Sequence, residues 1–515
     1  TLGCVDAQKG DKSFTLEDLN FGGKNYHNMS PKNRWCTWWG NQLVRQDADA
    51  CYLVNKTTGK ETKLFGKNDI NQWIAPTRDI KVHSLYQTSF PYANKSIVVV
   101  NTGSKIYTID FKKHALLSEH NFDNGENILE TCPASEAVAY LKDNKLYVTR
   151  GLKVWQLSTD GSRDIVYGQS VHRDEFGIRK GTYWSNDGEK LAFYRMDQSM
   201  VTDYPQVDIP EIGFNHPETQ SCIATAAPDK YPMAGETSHK VTVGVFNLNT
   251  GKTVYLQAGD PTDRYFTNIS WSPDSKTIYM FELNRDQNDC HLVAYNAETG
   301  EKQCELYHET DEKYVEPQNP IVFLPWDSNS FIMQSRKDGY NHLYLCTLGK
   351  ENKLNIRQLT SGKWEVMDML GFNTKRKSII IASNELSPIQ RNIFAVDVKS
   401  GKRTLADDGG KGWHNALLST SGEYVYDNYS TPSIPRKIAI VNTANGKATP
   451  FFTAEDPWKG YNVPEYSMGS IKNGDTELFY RMVKPINFDS TKKYPVVVYV
   501  YGGPHAHNVD ARWHY

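Results

Sequence analysis

The chain repeats one pattern along most of its length: an apolar strand, a turn that ends in Gly, and a second apolar strand. The Gly of each turn can adopt the positive φ that a tight β-hairpin requires. The pattern therefore predicts a series of β-hairpins. Its clearest copies are residues 54–64, 246–256, 295–307, 396–405 and 441–451.

The hairpins recur at an interval that suits a four-stranded unit. Weaker turns at Lys112, Gly161 and Gly349 extend the five clear copies to eight, and most intervals between neighbouring turns are about 45 to 53 residues. Four-stranded units of this length form a β-propeller, because radial stacking covers both faces of each unit and leaves only short edges. We therefore predict a mainly β chain with an eight-bladed β-propeller.

One interval, from Gly161 to Gly251, is about 90 residues long. It could contain two blades, or one blade with about 40 inserted residues. Residues 205–239 carry several Pro and little strand alternation, which favours an insertion. We predict an N-terminal arm over residues 1–40 and a propeller over residues 41–464, with the insertion near residues 170–240.

A different pattern begins near residue 465. Residues 478–483 predict a strand, and residues 496–500 form an uninterrupted apolar run. Such a run is typical of a strand that is covered on both faces, as in a parallel α/β sheet. We expect residues 465–515 to be the first strands of an α/β domain, which about 50 residues cannot complete.

Composition and charge exclude two classes of partner. The chain of 515 residues has 58 Lys and Arg against 60 Asp and Glu, a formal charge of −2, so no basic field is present to bind a nucleic acid. The longest apolar run has only five residues, far below the roughly 20 that a membrane-spanning helix needs. Abundant Tyr, Trp and Phe favour strands.

The eight cysteines include no Cys-x-x-Cys pair, so neither a zinc ribbon nor a thioredoxin-type redox site is predicted. The spacings Cys36/Cys51 and Cys290/Cys304 suit hairpins and would permit disulfides in an oxidising compartment. Burial of most cysteines as small apolar residues is an equally good interpretation. The connectivity stays open.

Asp174 and Glu175 are the first candidates for chemistry. Neighbouring acids arise by chance in a chain with 60 of them, and a solvated loop is the simplest explanation. This pair, however, lies at the entry to the anomalous blade. Two like charges held together repel each other, and a cationic ligand such as the α-ammonium group of a peptide relieves both.

Tyr501 is the second candidate, because it follows the apolar run and precedes Gly502 and Gly503. The two glycines allow a backbone to approach, and the phenol could donate to a developing oxyanion. A Tyr that simply ends a core strand is the alternative. No Gly-x-Ser-x-Gly nucleophile elbow occurs in the chain.

Histidines predict no metal centre. His505 and His507 would share one face of a strand, but no third ligand is identifiable. His342 is interpreted as a hydrogen-bonded strand residue rather than a base. The sequence therefore predicts neither a metal nor another cofactor.

In this order, the motifs resemble the dipeptidyl peptidase IV branch of the prolyl oligopeptidase family, and more closely its bacterial members. The resemblance covers essentially the whole chain. It rests on residues 493–506, 339–344 and 359–366, on residues 174–176 followed by 183–185, and on residues 14–19.

The resemblance implies an eight-bladed propeller that caps an α/β-hydrolase domain, with the active site between them. It implies a serine exopeptidase that releases X-Pro or X-Ala dipeptides from peptides with a free N-terminus. Asp174 and Glu175 match the family's acids that hold the substrate's ammonium group, and Tyr501 matches its oxyanion-hole tyrosine. Most members have Glu at both acidic positions, so Asp174 departs from the pattern.

Two further departures affect the expected activity. No Arg lies between residues 85 and 115 to match the propeller arginine that holds the substrate carbonyl in human-type members. The family's Ser, Asp and His are expected beyond Tyr515, so this chain alone should be inactive. A prolyl tripeptidyl peptidase and a non-catalytic peptide-binding propeller are the alternatives.

Location and assembly follow from weaker features. Thr1-Leu2-Gly3-Cys4 matches the remnant of a lipoprotein cleavage site ahead of a lipidated cysteine. We expect a periplasmic or cell-envelope protein, either lipid-anchored or secreted. The resemblance implies a homodimer with a peptide substrate as partner.

Overall fold

The structure is a computed structural model that describes residues 3–74, 81–123, 125–209 and 223–513. Two compact units divide the chain: unit 1 comprises Thr1–Glu119 and Trp364–Tyr515, and unit 2 comprises His120–Lys363. Eight antiparallel sheets of at least four strands contain most of the described strands. Their number agrees with the eight predicted repeats.

The strands of the first three sheets follow one another in the chain, and each pairs with its neighbours. After β1 (Gly3–Val5), sheet 1 consists of β2 (Cys36–Trp39), β3 (Gln42–Gln46), β4 (Ala50–Val54) and β5 (Glu61–Gly66). Sheet 2 consists of β6 (Thr88–Ser89), β7 (Ile97–Asn101), β8 (Lys105–Asp110) and β9 (Ala115–Asn121). Sheet 3 consists of β10 (Glu126–Cys132), β11 (Ala137–Lys142), β12 (Lys145–Arg150) and β13 (Lys153–Gln156).

Sheet 4 has a different construction. Its edge strand is split into β14 (Ile165–Tyr167) and β15 (Thr182–Trp184), which both pair with β16 (Lys190–Asp197). An arm then contains the short strands β17 (Asp203–Tyr204), β18 (Val207–Asp208), β19 (Thr225–Ala226) and β20 (Asp229–Lys230). The sheet resumes with β21 (Lys240–Asn247), which pairs directly with β16, and ends with β22 (Lys252–Tyr255).

This pairing puts one sheet and one inserted arm into the 90-residue interval, the alternative that the sequence favours. In the arm β17 pairs with β20 and β18 with β19. Pro210 and Pro217 of the predicted insertion lie outside the described residues.

The remaining four sheets are regular. Sheet 5 consists of β23 (Arg264–Trp271), β24 (Thr277–Asn284), β25 (Asp289–Asn296) and β26 (Lys302–Thr310), and sheet 6 consists of β27 (Val322–Leu324), β28 (Asp327–Ser335), β29 (His342–Leu348) and β30 (Leu354–Gln358). Sheet 7 consists of β31 (Val366–Asn373), β32 (Ser378–Ser383), β33 (Asn392–Asp397) and β34 (Arg403–Leu405). Sheet 8 consists of β35 (Trp413–Leu418), β36 (Tyr424–Thr431), β37 (Ile434–Asn442) and β38 (Ala448–Thr453).

The described helices are short. They are α1 (Leu16–Leu19), α2 (Lys67–Ile74) and the 3-10 turns Tyr26–Asn28, His172–Asp174 and Lys350–Asn352. Among the described residues, no helix combines the length and the apolar character needed to cross a bilayer.

The predicted Gly turns have one common geometry. In five hairpins the N–H of the Gly donates to the carbonyl four residues earlier, at 2.7–2.8 Å, and the Gly has φ between 66° and 78°. The residue four positions before the Gly is Asn or Asp, whose side chain accepts the next free N–H groups of the turn. The Gly residues are 59, 251, 300, 401 and 446.

Buried apolar residues join successive sheets inside each unit. In unit 1 they join sheets 7, 8, 1 and 2 in that order, so the last sheet in the chain packs against the first. In unit 2 they join sheets 3, 4, 5 and 6. Both faces of the inner sheets of each unit are therefore covered.

One predicted turn is wrong. Gly161 lies between β13 of sheet 3 and β14 of sheet 4, and the hairpin that corresponds to the other repeats is at Gly151. Gly161 nevertheless makes a close approach, because a Cβ there would lie 1.9 Å from the Asn144 carbonyl oxygen. Gly161 is therefore required for backbone proximity and not for a hairpin turn.

The C-terminal region contains one of the two predicted strands. Strand β40 (Thr476–Val483) includes the strand predicted over residues 478–483 and pairs with β39 (Tyr466–Asn473). Strand β39 in turn pairs with β1. The prediction of a covered strand over residues 496–500 is wrong for this chain: the segment belongs to no strand, and its side chains are 76–94% exposed. No described strand or apolar layer is available to cover it.

Neither possible disulfide is present. The seven described cysteines are all free, and Cys36, Cys51 and Cys290 are buried. Burial raises the pKa of each of these three thiols, which keeps them protonated and unreactive. Cys222 lies outside the described residues.

Candidate functional site

The acidic pair lies on a turn that interrupts the edge strand of sheet 4. We call residues 171–178 the acid turn. Its apolar side chains Val171, Phe176 and Ile178 are buried, whereas Asp174 and Glu175 are exposed. The apolar residues therefore attach the turn to the protein while the two carboxylates face solvent.

The backbone of the acid turn is left-handed over several residues. His172, Arg173, Asp174 and Phe176 have φ between 54° and 61°, and the N–H of Glu175 donates to the His172 carbonyl at 3.1 Å. A left-handed conformation costs a non-Gly residue about 1 to 2 kcal/mol. Surrounding contacts must hold this conformation, and strain of this kind is concentrated at functional sites.

His172 supplies the main polar contact. Its ring is 2% exposed, its Nε2 accepts the Phe266 N–H at 3.1 Å, and its Nδ1 lies 2.7 Å from Nε2 of His239. Because Nε2 accepts a hydrogen bond, the proton of a neutral His172 lies on Nδ1 and is donated to His239. The two rings thus connect the acid turn to sheet 5 and to the residue preceding β21.

Both histidines are neutral near pH 7. Burial, and then the nearby His239, lower the pKa of His172 well below its usual value. Burial, followed by the positive charges of Arg285 and Arg173, lowers the pKa of His239 to about 4. The hydrogen-bonded pair therefore adds no positive charge beneath the carboxylates.

Gly177 is required by the packing of the acid turn. Its φ is +73°, and a Cβ at this position would lie 2.1 Å from the Gln318 carbonyl oxygen. Any other residue would force the turn or its neighbour to move.

Arg173 connects the acid turn to the inserted arm. Its Nη1 lies 2.6 Å from Oδ2 of Asp229 and 3.3 Å from the Lys230 carbonyl oxygen, and its guanidinium lies 4.8 Å from the centre of the Tyr231 ring. The end of the arm is therefore fixed beside the acids.

A cavity of about 620 Å³ lies between the acid turn, the arm and the β24–β25 hairpin. Glu175 and Asp286 line it, together with Arg173 and Arg285, whereas Asp174 is not part of its lining. Both arginines are ion-paired, Arg285 with Asp263 at 2.9 Å. Among the described residues, the carboxylates of Glu175 and Asp286 have no hydrogen-bond or ion-pair partner, so the cavity favours a cation.

Tyr501 lies in unit 1, whereas the acid turn lies in unit 2. Its side chain is 64% exposed, and its ring packs so closely on Gly503 that a Cβ there would lie 2.5 Å from a ring carbon. The predicted role of Tyr501 in an oxyanion hole stays a prediction.

Two of the histidines considered in the sequence, His342 and His507, make polar contacts within the protein. His342 is fully buried, and its two ring nitrogens lie 2.9 Å from the Thr360 hydroxyl and from the Gly362 carbonyl oxygen. Its interpretation as a hydrogen-bonded strand residue is confirmed. Nδ1 of His507 lies 3.2 Å from the Asp510 carboxylate.

Sequence reasoning missed three residues that shape the cavity: His172, His239 and Asp286. His172 lies beside the acids in the sequence, and its proximity could have drawn attention to it. His239 and Asp286 are 67 and 114 positions from His172, and no local pattern connects them. Only the strand pairing within sheet 4 and the packing of sheet 4 on sheet 5 bring them together.

Comparisons with known proteins agree on one family. A family model described as "Dipeptidyl peptidase IV (DPP IV) N-terminal region" matches residues 91–436. A curated relative from Pyrenophora teres f. teres, named "Probable dipeptidyl-aminopeptidase B", is 26% identical over 98% of this chain and 60% of its own length. A relative of the same name from Coccidioides posadasii is 25% identical over 99% of this chain and 60% of its own length. The chain thus spans about 60% of the length of these relatives.

Two solved structures are similar over 98% of this chain. One, provisionally assigned as a dipeptidyl aminopeptidase IV from Bacteroides ovatus, has 43% identity and a TM-score of 0.87, with 71% of its chain covered. The other, dipeptidyl peptidase 4 from Porphyromonas gingivalis, has 23% identity and a TM-score of 0.77, with 72% covered. The second similarity supports the fold alone.

Proposed function

The chain belongs to the dipeptidyl peptidase IV family, and from this premise we propose that it forms the greater part of a serine exopeptidase that releases X-Pro or X-Ala dipeptides. In this proposal the acid turn binds the substrate's free amino terminus. The observation that carries it is the unpaired Glu175 carboxylate, which a rigid turn presents to a cavity of dipeptide size.

Glu175 suits a peptide ammonium group on three grounds. Its carboxylate lines the cavity with no described partner, each arginine beside it is already paired with another carboxylate, and the histidines that anchor the turn are uncharged near pH 7. Asp286 offers a second carboxylate to the same cavity. We propose Glu175 as the principal anchor, with Asp174 as its neighbour in the family's pair.

Anchoring the ammonium group determines where the peptide is cut. If one end of the substrate is held at a fixed point, only the bond two residues away reaches the nucleophile, since positioning replaces random encounter. A blocked amino terminus would lose this attraction and would leave the carboxylate without its counter-charge.

Tyr501 completes the proposed chemistry within this chain. Its exposed phenol would donate to the negative oxygen of the tetrahedral intermediate formed by serine attack, and loss of one such donor typically costs about 10² to 10³ in rate. The serine, its Asp and its His are proposed to lie outside these 515 residues. No residue is proposed for the missing carbonyl-binding arginine.

We also propose that the eight sheets form a β-propeller. The packing of sheet 8 on sheet 1 within unit 1 supports this arrangement, because a closed ring brings its last and first blades together.

A periplasmic or cell-envelope location and a homodimer belong to the same proposal. Light scattering of the purified full-length protein and fractionation of the source cells test them.

Steady-state kinetics of the full-length protein test the anchor. For an X-Pro reporter with a free amino terminus, we expect Glu175→Gln to lower kcat/KM at least 10-fold, about 1.4 kcal/mol, because a neutral amide attracts the ammonium group less than a carboxylate does. An N-acetylated reporter should be a poor substrate for the parent protein and should respond little to the substitution.

Glu298→Gln is the matched control, since Glu298 is an exposed acid on the β25–β26 turn of the same unit. It should leave kcat/KM unchanged. Unchanged kinetics in Glu175→Gln would remove the acid turn from the mechanism, and dominant release of tripeptides would replace the proposed register. Peptide binding without turnover would favour the non-catalytic alternative.

A further inference from the structure

A second cluster of ionisable side chains lies on the outer hairpin of sheet 5 and does not line the cavity of the acid turn. Asp289 and His291 are two residues apart on β25, so their side chains lie on one face of the strand. His308 on β26 is directly opposite His291. All three side chains are partly exposed, between 30% and 48%.

The donor atoms of this cluster converge. Oδ1 of Asp289 lies 2.5 Å from Nε2 of His308 and 3.2 Å from Nε2 of His291. One donor atom from each residue lies within 4.8 Å of the other two. Ligands bound at about 2.0 to 2.2 Å from one tetrahedral metal ion are roughly 3.3 Å apart, so small side-chain rotations would accommodate an ion.

A fourth residue orients His291. Its Nδ1 lies 3.0 Å from Oε1 of Glu305, and a proton on Nδ1, donated to this carboxylate, leaves the Nε2 lone pair directed at Asp289. A carboxylate that accepts the second ring N–H of a histidine is the usual outer partner of a metal-binding imidazole.

The stacking of the two imidazoles disfavours protonation of both rings at once. The rings of His291 and His308 are nearly parallel, with centroids 4.1 Å apart and an interplanar angle of 8°. Two imidazolium ions at this distance would repel each other. The nearly parallel rings direct their Nε2 lone pairs side by side, so one ring must rotate before a single divalent cation can bind both nitrogens and the Asp289 carboxylate.

We propose that Asp289, His291 and His308 form a site for a divalent transition-metal ion of the Zn²⁺ type, with Glu305 as the positioning residue and water in the remaining coordination positions. Two imidazoles and one carboxylate are a donor set that suits zinc and its neighbours. The ion would join β25 to β26 and so hold the outer edge of sheet 5.

Isothermal titration of the full-length protein with Zn²⁺ tests the site, using protein that carries no polyhistidine tag and has been treated with a chelator. We expect His308→Gln and Asp289→Asn each to raise the Kd of this site at least 10-fold. Glu305→Gln should raise it about 10-fold through loss of orientation. His83→Gln, at an exposed histidine of unit 1, should leave the Kd unchanged.

The proposal fails if the parent protein binds no more Zn²⁺ than His308→Gln and Asp289→Asn do, in which case the cluster is an ion-pair network. Circular dichroism and turnover of the X-Pro reporter show whether each variant folds, since none of these residues belongs to the acid turn. A crystal soaked in Zn²⁺ and measured at the zinc absorption edge provides a readout without substitutions. Absence of an anomalous peak between the three side chains would also overturn the site.

Discussion

Asp174 and Glu175 are neighbours in the chain, but the structure gives them different surroundings. Glu175 lines the cavity, whereas Asp174 does not. Asp174 has a left-handed backbone with φ 61°, whereas Glu175 is extended with φ −67°, and the buried side chains of Phe176 and Ile178 attach the turn to the protein. At the level of single residues, the preference for Glu175 therefore has a structural reason as well as a family one.

The His172–His239 pair makes the acid turn sensitive to acid. Both rings have a pKa below the value near 6.5 of an unfolded histidine. Between about pH 6.5 and pH 4, the unfolded turn therefore binds protons that the folded turn does not. The stability contributed by the neutral pair is complete above pH 6.5 and is lost as the pH falls toward 4.

We expect amide protection of residues 171–178, after correction for intrinsic exchange, to fall about 30-fold between pH 7 and pH 5. This corresponds to about 2 kcal/mol for one histidine. Hydrogen exchange measured by mass spectrometry checks it. In His239→Gln the dependence on pH should be clearly weaker, and an identical dependence in both proteins would show that another group is responsible.

At the level of elements, the repeated turn does more than reverse the chain. A Cβ at Gly300 would lie 2.2 Å from the Tyr255 carbonyl oxygen, and a Cβ at Gly446 would lie 2.6 Å from that of Leu405. In both cases the carbonyl belongs to the last strand of the preceding sheet. The turn Gly therefore allows one sheet to approach the next, a role that the hairpin pattern does not reveal.

Gly251 and Gly300 form a matched pair for testing this role. Both occupy the same turn with positive φ, but the nearest atom to a Cβ at Gly251 is 3.6 Å away. We expect Gly251→Ala to lower the free energy of unfolding by about 1 kcal/mol, the cost of the left-handed conformation. Gly300→Ala should cost about 2 kcal/mol more, because the two sheets must move apart.

Urea unfolding of both variants measures the difference. Equal losses would mean that the contact between sheets 4 and 5 adjusts without cost.

Seven of the eight turns marked in the sequence fall between the third and fourth strands of a sheet, and Gly161 is the exception. Local backbone chemistry thus predicts the elements well, while the reason for a particular Gly depends on its neighbours in space.

At the level of the whole molecule, residues 496–500 form a run of apolar side chains that are left exposed to solvent. Four valines and a tyrosine are 76–94% exposed in a segment with no strand partner. An apolar patch of this kind is rare on a protein surface unless something covers it. The relatives are longer than this chain, and we expect the additional residues to provide the missing strands.

Hydrogen exchange tests this expectation. Amides of residues 496–500 should exchange rapidly in the chain of 515 residues and at least about 100-fold more slowly in the full-length protein, because a central strand is protected by pairing on both edges. Strand β36 (Tyr424–Thr431), which is paired on both sides here, should be slow in both proteins. Rapid exchange of residues 496–500 in the full-length protein would contradict a buried strand.

Periodicity and turn chemistry were sufficient to predict the mainly β fold, the number of four-stranded sheets and the inserted arm. These features depend on residues that are close in sequence, where the alternation of side chains and the φ of Gly act directly. The acidic pair could also be found in the sequence, because its two members are adjacent.

Strand pairing and sheet packing alone decided which distant residues meet in the cavity and in the proposed metal site. Asp286 reaches the cavity of Glu175, His239 meets His172, and His291 faces His308, although these partners are separated by 17 to 111 positions. A linear pattern holds no information about such contacts, since they follow from the register of strands and from which sheet packs on which. The charge of the cavity and the proposed metal site are therefore properties of the folded molecule.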